Sequence, residues 1–139
     1  MASAHVRADA DRAFAYLSDP RKLGRWSLGC FDTRPYDDQG VFHGTSLFDN
    51  GEGWFKVRAD HGRGVIDYGV GTPDRLSYRI CARVVDAGAF GYENNTSLVM
   101  LTAWRPKDMS DERWARLCAA HEAEIWLIKS QIETEAPQP

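Results

Sequence analysis

The chain has 139 residues, with 17 Lys and Arg against 20 Asp and Glu and a formal net charge of −3. Hydrophobic residues make up 43% and aromatic residues 12%, which suits one packed domain and argues against disorder. No basic stripe points to nucleic acid, no apolar run has membrane-spanning length, and Met1-Ala2-Ser3-Ala4-His5 lacks the regions of a signal peptide. A cytoplasmic protein that binds neither nucleic acid nor membrane is expected.

The chemistry-bearing motifs are few. Cys30, Cys81 and Cys118 are odd in number and far apart, so reduced thiols are expected, with neither a disulfide framework nor a zinc knuckle. His5, His43, His61 and His121 show no metal-ligand spacing, no glycine-rich loop precedes a helix, and there is no Gly-x-Ser-x-Gly elbow. No metal and no cofactor are therefore expected.

In chain order, residues 4–8 read as a short strand, and Asp9 or Asp11 can cap a helix carrying Ala10, Ala13, Phe14 and Leu17. Asp19-Pro20 ends it and starts a second short helix with Leu23 and Trp26. From Cys30 to Arg105 turn signals separate extended runs: Asp37–Gly40, Asp49–Gly53, His61-Gly62, Thr72–Asp74 and the longer Asp86–Asn95 loop. That predicts about six more strands. Ser110 then caps a long helix, with Asp111 and Glu112 in its first turn and Met109 and Trp114 spaced as a hydrophobic staple. Its apolar stripe runs through Trp114, Leu117, Cys118, His121, Ile125, Ile128 and Ile132, while Glu124 is placed with the charged residues off the stripe. Residues 1–135 form one expected domain and 136–139 a frayed tail.

Hairpin turns predict which residues face inward. A two-residue turn at His61-Gly62 sets Phe55 opposite Tyr68, Val57 opposite Ile66 and Lys56 opposite Asp67, with the charged pair outside. Pairing Val70 with Leu76 sets Tyr68 opposite Tyr78 and Ile66 opposite Ile80. Pairing Phe48 with Trp54 sets Thr45 opposite Val57 and His43 opposite Ala59. On this register His43, Thr45, Tyr68 and Tyr78 look inward; a three-residue turn would reverse either local assignment. The last strand is apolar on both faces and its orientation stays open.

The stretch His5 to Pro20 with Trp26 after it, Gly64-Val65-Ile66-Asp67-Tyr68, Arg105 to Glu112, and Leu127-Ile128-Lys129 together resemble the polyketide cyclase/dehydrase-like members of the START and birch-pollen-allergen (SRPBCC) superfamily. The resemblance spans essentially the whole chain. It implies an α+β helix-grip fold: a curved antiparallel sheet of about seven strands around a long C-terminal helix, with two short helices after the first strand and a cavity between sheet and helix. The superfamily shares no catalytic motif, so no active-site residue is carried over from it.

Candidate residues come from the stripe and the register. His121 is a strongly polar residue on a buried face: either a histidine satisfied by a neighbour, or a cavity-wall acid or base. Tyr68 and Tyr78 are either core aromatics or hydrogen-bond donors to a developing oxyanion. His43, Thr45, Phe55, Ile80, Trp104, Trp114 and Leu117 are the expected ligand-binding wall. The expected function is a cofactor-independent enzyme of the cyclase/dehydrase type, a lyase or isomerase, acting by acid–base chemistry on a hydrophobic, aromatic or polyketide-like small molecule. A non-catalytic carrier or sensor is the alternative, and a chaperone-like interaction module a third. Self-association into a homodimer is left open.

Overall fold

The computed structural model describes residues 1–135; the expected frayed tail, 136–139, lies outside the described residues. The described residues form β1 (Ala2–Val6), α1 (Ala10–Ser18), α2 (Pro20–Leu23), β2 (Phe31–Pro35), β3 (Val41–Thr45), β4 (Glu52–Asp60), β5 (Val65–Thr72), β6 (Arg75–Asp86), β7 (Ser97–Ala103) and α3 (Asp111–Thr134). The strands make one antiparallel sheet in the order β1-β7-β6-β5-β4-β3-β2. The α+β architecture expected from the sequence is the one observed.

Local chemistry sets the helix boundaries. Asp9 accepts from Arg12 N at 2.8 Å, Asp19 from Arg21 N at 3.0 Å ahead of Pro20, and Ser110 from Arg113 N at 3.2 Å. Each side-chain oxygen satisfies one of the amides that a helix N-terminus leaves free. The sheet edge at β1 is covered in the same way. Lys129 donates to the His5 carbonyl at 2.5 Å, and Arg7 N donates to Glu133 at 2.8 Å.

One sheet face carries the core. Phe55, Ile66, Tyr68, Ala82, Val84, Val99 and Leu101 are buried there with Leu17, Leu23 and Trp26 of the first helical segment. Ile125, Ile128 and Ile132 join them from α3, which packs along β1 and β7. The orientation of β7 is thereby settled: Val99 and Leu101 point inward, Leu98 and Met100 outward.

The register departs from expectation at three turns. Between β4 and β5 the chain makes a 3-10 turn, His61–Arg63, followed by Gly64 at φ 65°, so Val57 pairs with Tyr68 and Arg58 with Asp67. The ladder is shifted by two residues, and an even shift keeps every face. Phe55, Ile66 and Tyr68 stay inside, and the outer ion pair is Arg58–Asp67 at 3.4 Å. Gly64 is required here, because a Cβ would meet the Val84 carbonyl oxygen at 2.2 Å.

The β3–β4 connection runs over six residues, 46–51, rather than the five of Asp49–Gly53, and His43 rather than Phe48 pairs with Trp54. An odd shift turns the strand over. His43 and Thr45 therefore lie on the outer face, paired with Trp54 and Glu52. Between β5 and β6, Thr72 pairs with Arg75, which sets Tyr78 opposite Gly69 on the outer face, under the Arg58 guanidinium at 4.0 Å. A bulge at Arg79 then breaks the alternation, so that Ile80 faces inward opposite Tyr68. Tyr78 is thus not an inner-face residue.

The packing of α3 is testable. Ile125→Ala should lower unfolding free energy by about 2–5 kcal/mol, since its side chain is 3% exposed and closely surrounded. Denaturant titration with an unchanged slope is the check.

Candidate functional site

The C-terminal half of α3 packs flush on the sheet; the N-terminal half does not. Between it and β4–β6 lies a cavity of about 320 Å³. Its apolar wall includes Leu23, Trp26, Phe55, Tyr68, Val70, Ile80 and Leu117, and its polar wall Arg79, His121 and Glu124. The β3–β4 loop, with Ser46, Phe48 and Asp49, closes one side of the mouth against Arg113 and Arg116 of α3.

Helical spacing places the polar groups. Leu117, His121 and Glu124 stand at i, i+4 and i+7, so they share the face directed at the sheet. Glu124 is 4% exposed and accepts a hydrogen bond from Leu28 N at 2.8 Å. Its other oxygen is 3.9 Å from Nε2 of His121. Burial pushes the Glu124 carboxyl from 4.5 up to about 8, opposed in part by the Leu28 amide, so this acid keeps its proton at neutral pH. Burial also lowers His121 from 6.5 to about 4, with the positive charges of the Met1 amine and Arg79 acting in the same direction. The pair is therefore a protonated carboxylic acid beside a neutral imidazole, not an ion pair.

Other groups on the wall have more restricted chemistry. The Tyr68 hydroxyl donates to the Leu17 carbonyl at 2.7 Å, and burial holds its pKa well above 10.0. Its one proton is committed to the end of α1, so it is not free to stabilise an oxyanion. Burial raises the Cys30 thiol to about 11, which removes it as a nucleophile near neutrality. By contrast, Trp26 Nε1 and Arg79 Nη1 are buried without a partner among the described residues. Both belong to residues that line the cavity, and a ligand acceptor would satisfy them.

Of the residues singled out from sequence, Tyr68, Phe55, Ile80, Leu117 and His121 line this cavity. Tyr78, His43, Thr45, Trp104 and Trp114 do not. Trp104 follows inward Ala103, points away from the core and is 76% exposed, while Trp114 lies one turn before Leu117 with the Arg105 guanidinium 6.0 Å from its ring. His43 stacks with Trp54 at 6.5 Å in an aromatic group with Tyr36. Glu124 and Arg79 were missed as functional groups. The signal for Glu124 was its i+3 position from His121, on the buried stripe. Among the described residues no three His, Cys, Asp or Glu side chains gather as metal ligands would.

No family model and no curated protein matches the sequence. Solved structures do match. An aromatase/cyclase, Zhui, from Streptomyces sp. R1128 superposes with a TM-score of 0.65 at 15% identity, covering 94% of this chain and 90% of that one. The solution structure of the Aha1 dimer from Colwellia psychrerythraea gives 0.65 at 14% identity, over 95% and 93% of the two chains. A START superfamily protein from Mycobacterium smegmatis gives 0.61 at 13% identity, over 94% of each. These identities speak to fold alone. Sheet order, the long C-terminal helix, the cavity between them and these superpositions agree: the chain has a helix-grip fold like that of the START superfamily protein and the aromatase/cyclases it superposes on.

Proposed function

We propose that the cavity binds a hydrophobic, ring-bearing small molecule and performs cofactor-independent acid–base chemistry on it, of the cyclase/dehydrase type. The observation that carries this reading is the proton on Glu124: a buried carboxylic acid beside a neutral imidazole, both facing an apolar pocket. In a dehydration, His121 Nε2 takes a carbon-bound proton next to a carbonyl, and Glu124 protonates the hydroxyl that departs as water. Transfer of the proton from His121 back to the Glu124 carboxylate, across 3.9 Å or one bridging water, resets both groups. On this reading the Trp26 N–H, without a partner among the described residues, donates to the substrate carbonyl as negative charge develops. The apolar wall orients the ring and excludes water.

A carrier function is favoured by one observation. The two tyrosines expected to assist catalysis are otherwise engaged, Tyr68 by the Leu17 carbonyl and Tyr78 on the outer face. Native mass spectrometry of protein from its own host should reveal a bound ligand. Incubating that ligand with fresh protein separates the readings: conversion supports the enzyme, and return of unchanged ligand supports the carrier.

For the enzyme, His121→Gln and Glu124→Gln should each lower turnover by about 10²–10⁴-fold, while Tyr68→Phe should lower stability by about 1–3 kcal/mol and leave turnover nearly intact. The pH profile of kcat/KM should be bell-shaped, with limbs near the values of about 4 for His121 and about 8 for Glu124.

The same groups make stability depend on pH. Folded Glu124 holds its proton to about 8 and unfolded Glu124 releases it near 4.5, so stability from this group falls as pH rises between them. Folded His121 takes up its proton only near 4 and unfolded His121 near 6.5, so its contribution rises with pH over that interval. The two oppose below 6.5; above it Glu124 acts alone. Between that point and pH 8, wild type should lose up to about 2 kcal/mol relative to Glu124→Gln, measured by urea titration of both proteins at the two pH values.

A further inference from the structure

Three arginines gather at one end of the cavity in a chain whose net charge is negative. Arg113 and Arg116 come from successive turns of α3, and Arg79 from the bulged position of β6; all three line the cavity. None of the three forms an ion pair within 4 Å among the described residues. Arg116 instead lies over the Phe48 ring at 5.0 Å, and Arg79 Nη1 is buried with no acceptor.

Two carboxylates share this rim. Asp49 is held by its own turn, accepting from Gly51 N at 2.9 Å, and Glu52 is exposed at the start of β4. Three cations therefore face two acids, with the most buried cation unpaired. Arg79 is half-buried, but its Nη1 is fully buried without an acceptor, and its charge is further disfavoured by burial and by the nearby Arg113 charge. A planar fork of N–H donors in that position matches a carboxylate or sulfonate.

We infer that the ligand is an organic acid: an apolar ring body lying against Trp26, Phe55 and Ile80, with an anionic group held by Arg79 and assisted by Arg113 and Arg116. This rests on the cavity-binding reading above and adds the charge and orientation of the ligand.

The test uses two fluorescent probes with the same aryl-naphthylamine body, 1-anilinonaphthalene-8-sulfonate and uncharged N-phenyl-1-naphthylamine. The wild-type protein should bind the sulfonate at least about tenfold more tightly, and added 2-naphthoate should displace it. Arg79→Gln should remove that preference and leave the affinity for the neutral probe within about twofold. Arg113→Gln, on an exposed helix surface where folding is not at risk, should reduce the preference part-way and flatten its dependence on salt. Equal affinity for the two probes in wild type, or a sulfonate preference untouched in both variants, overturns the inference and leaves a cavity for neutral ligands. Failure of both probes to bind overturns the cavity-binding reading itself.

Discussion

One helix has to cover the inner face of a seven-stranded sheet, and it is too narrow to do so. A helix with its side chains is about 10–12 Å across, whereas neighbouring strands add nearly 5 Å each. In this protein α1 and α2 take one part of the face and α3 runs along β1 and β7 at the other. What remains uncovered lies over β4–β6, beneath the first turns of α3. The cavity is a consequence of that geometry rather than a defect in packing. Because the sheet stays antiparallel throughout, each inner side chain at the cavity is set by strand alternation, and each departure from alternation has a visible consequence.

The polar content of the cavity follows from how α3 divides its length. From Ile125 onward the stripe is isoleucine, and those residues close the core. Toward the N-terminus the same stripe carries Leu117, His121 and Glu124. These last two groups are buried by the fold, not by their own preference, and both answer by shedding charge: the acid keeps its proton and the base gives its proton up. Two neutral groups with opposite proton needs, 3.9 Å apart, are a poor device for stability. Their opposite proton needs are what the proposed acid–base chemistry would draw on.

Much of the architecture is legible in local sequence chemistry. Asp9, Asp19-Pro20 and Ser110 announce helix starts because an oxygen two or three residues ahead of free amides satisfies them in any tertiary setting. The turn residues between strands, and the isoleucine spacing of α3, are equally local. The resemblance of the opening, middle and closing segments to cyclase/dehydrase-like START proteins pointed to the fold that the superpositions support. His121, Phe55, Ile80 and Leu117 could be placed on the cavity wall from spacing and alternation alone.

Only the tertiary structure decided the rest. Strand alternation has a period of two, so a single extra residue in the 46–51 connection moves His43 and Thr45 from the inner to the outer face, and the bulge at Arg79 separates Tyr78 from Ile80. By the same rule the two-residue slip at His61–Gly64 changed partners without changing faces. Glu124 reads as a solvated charge next to Glu122, and its burial depends on the Leu28 amide brought to it from the α2–β2 segment. Tyr68 reads either as a core aromatic or as a donor to a ligand until the Leu17 carbonyl arrives from α1 and accepts its hydrogen bond. The sequence by itself determined which segments are helices and strands and which helix face is buried, because those follow from neighbours along the chain. Parity at the turns, the state of each proton and the pairing of each polar atom were left to the fold, because each depends on a partner that is distant in sequence and arrives only when the sheet closes on α3.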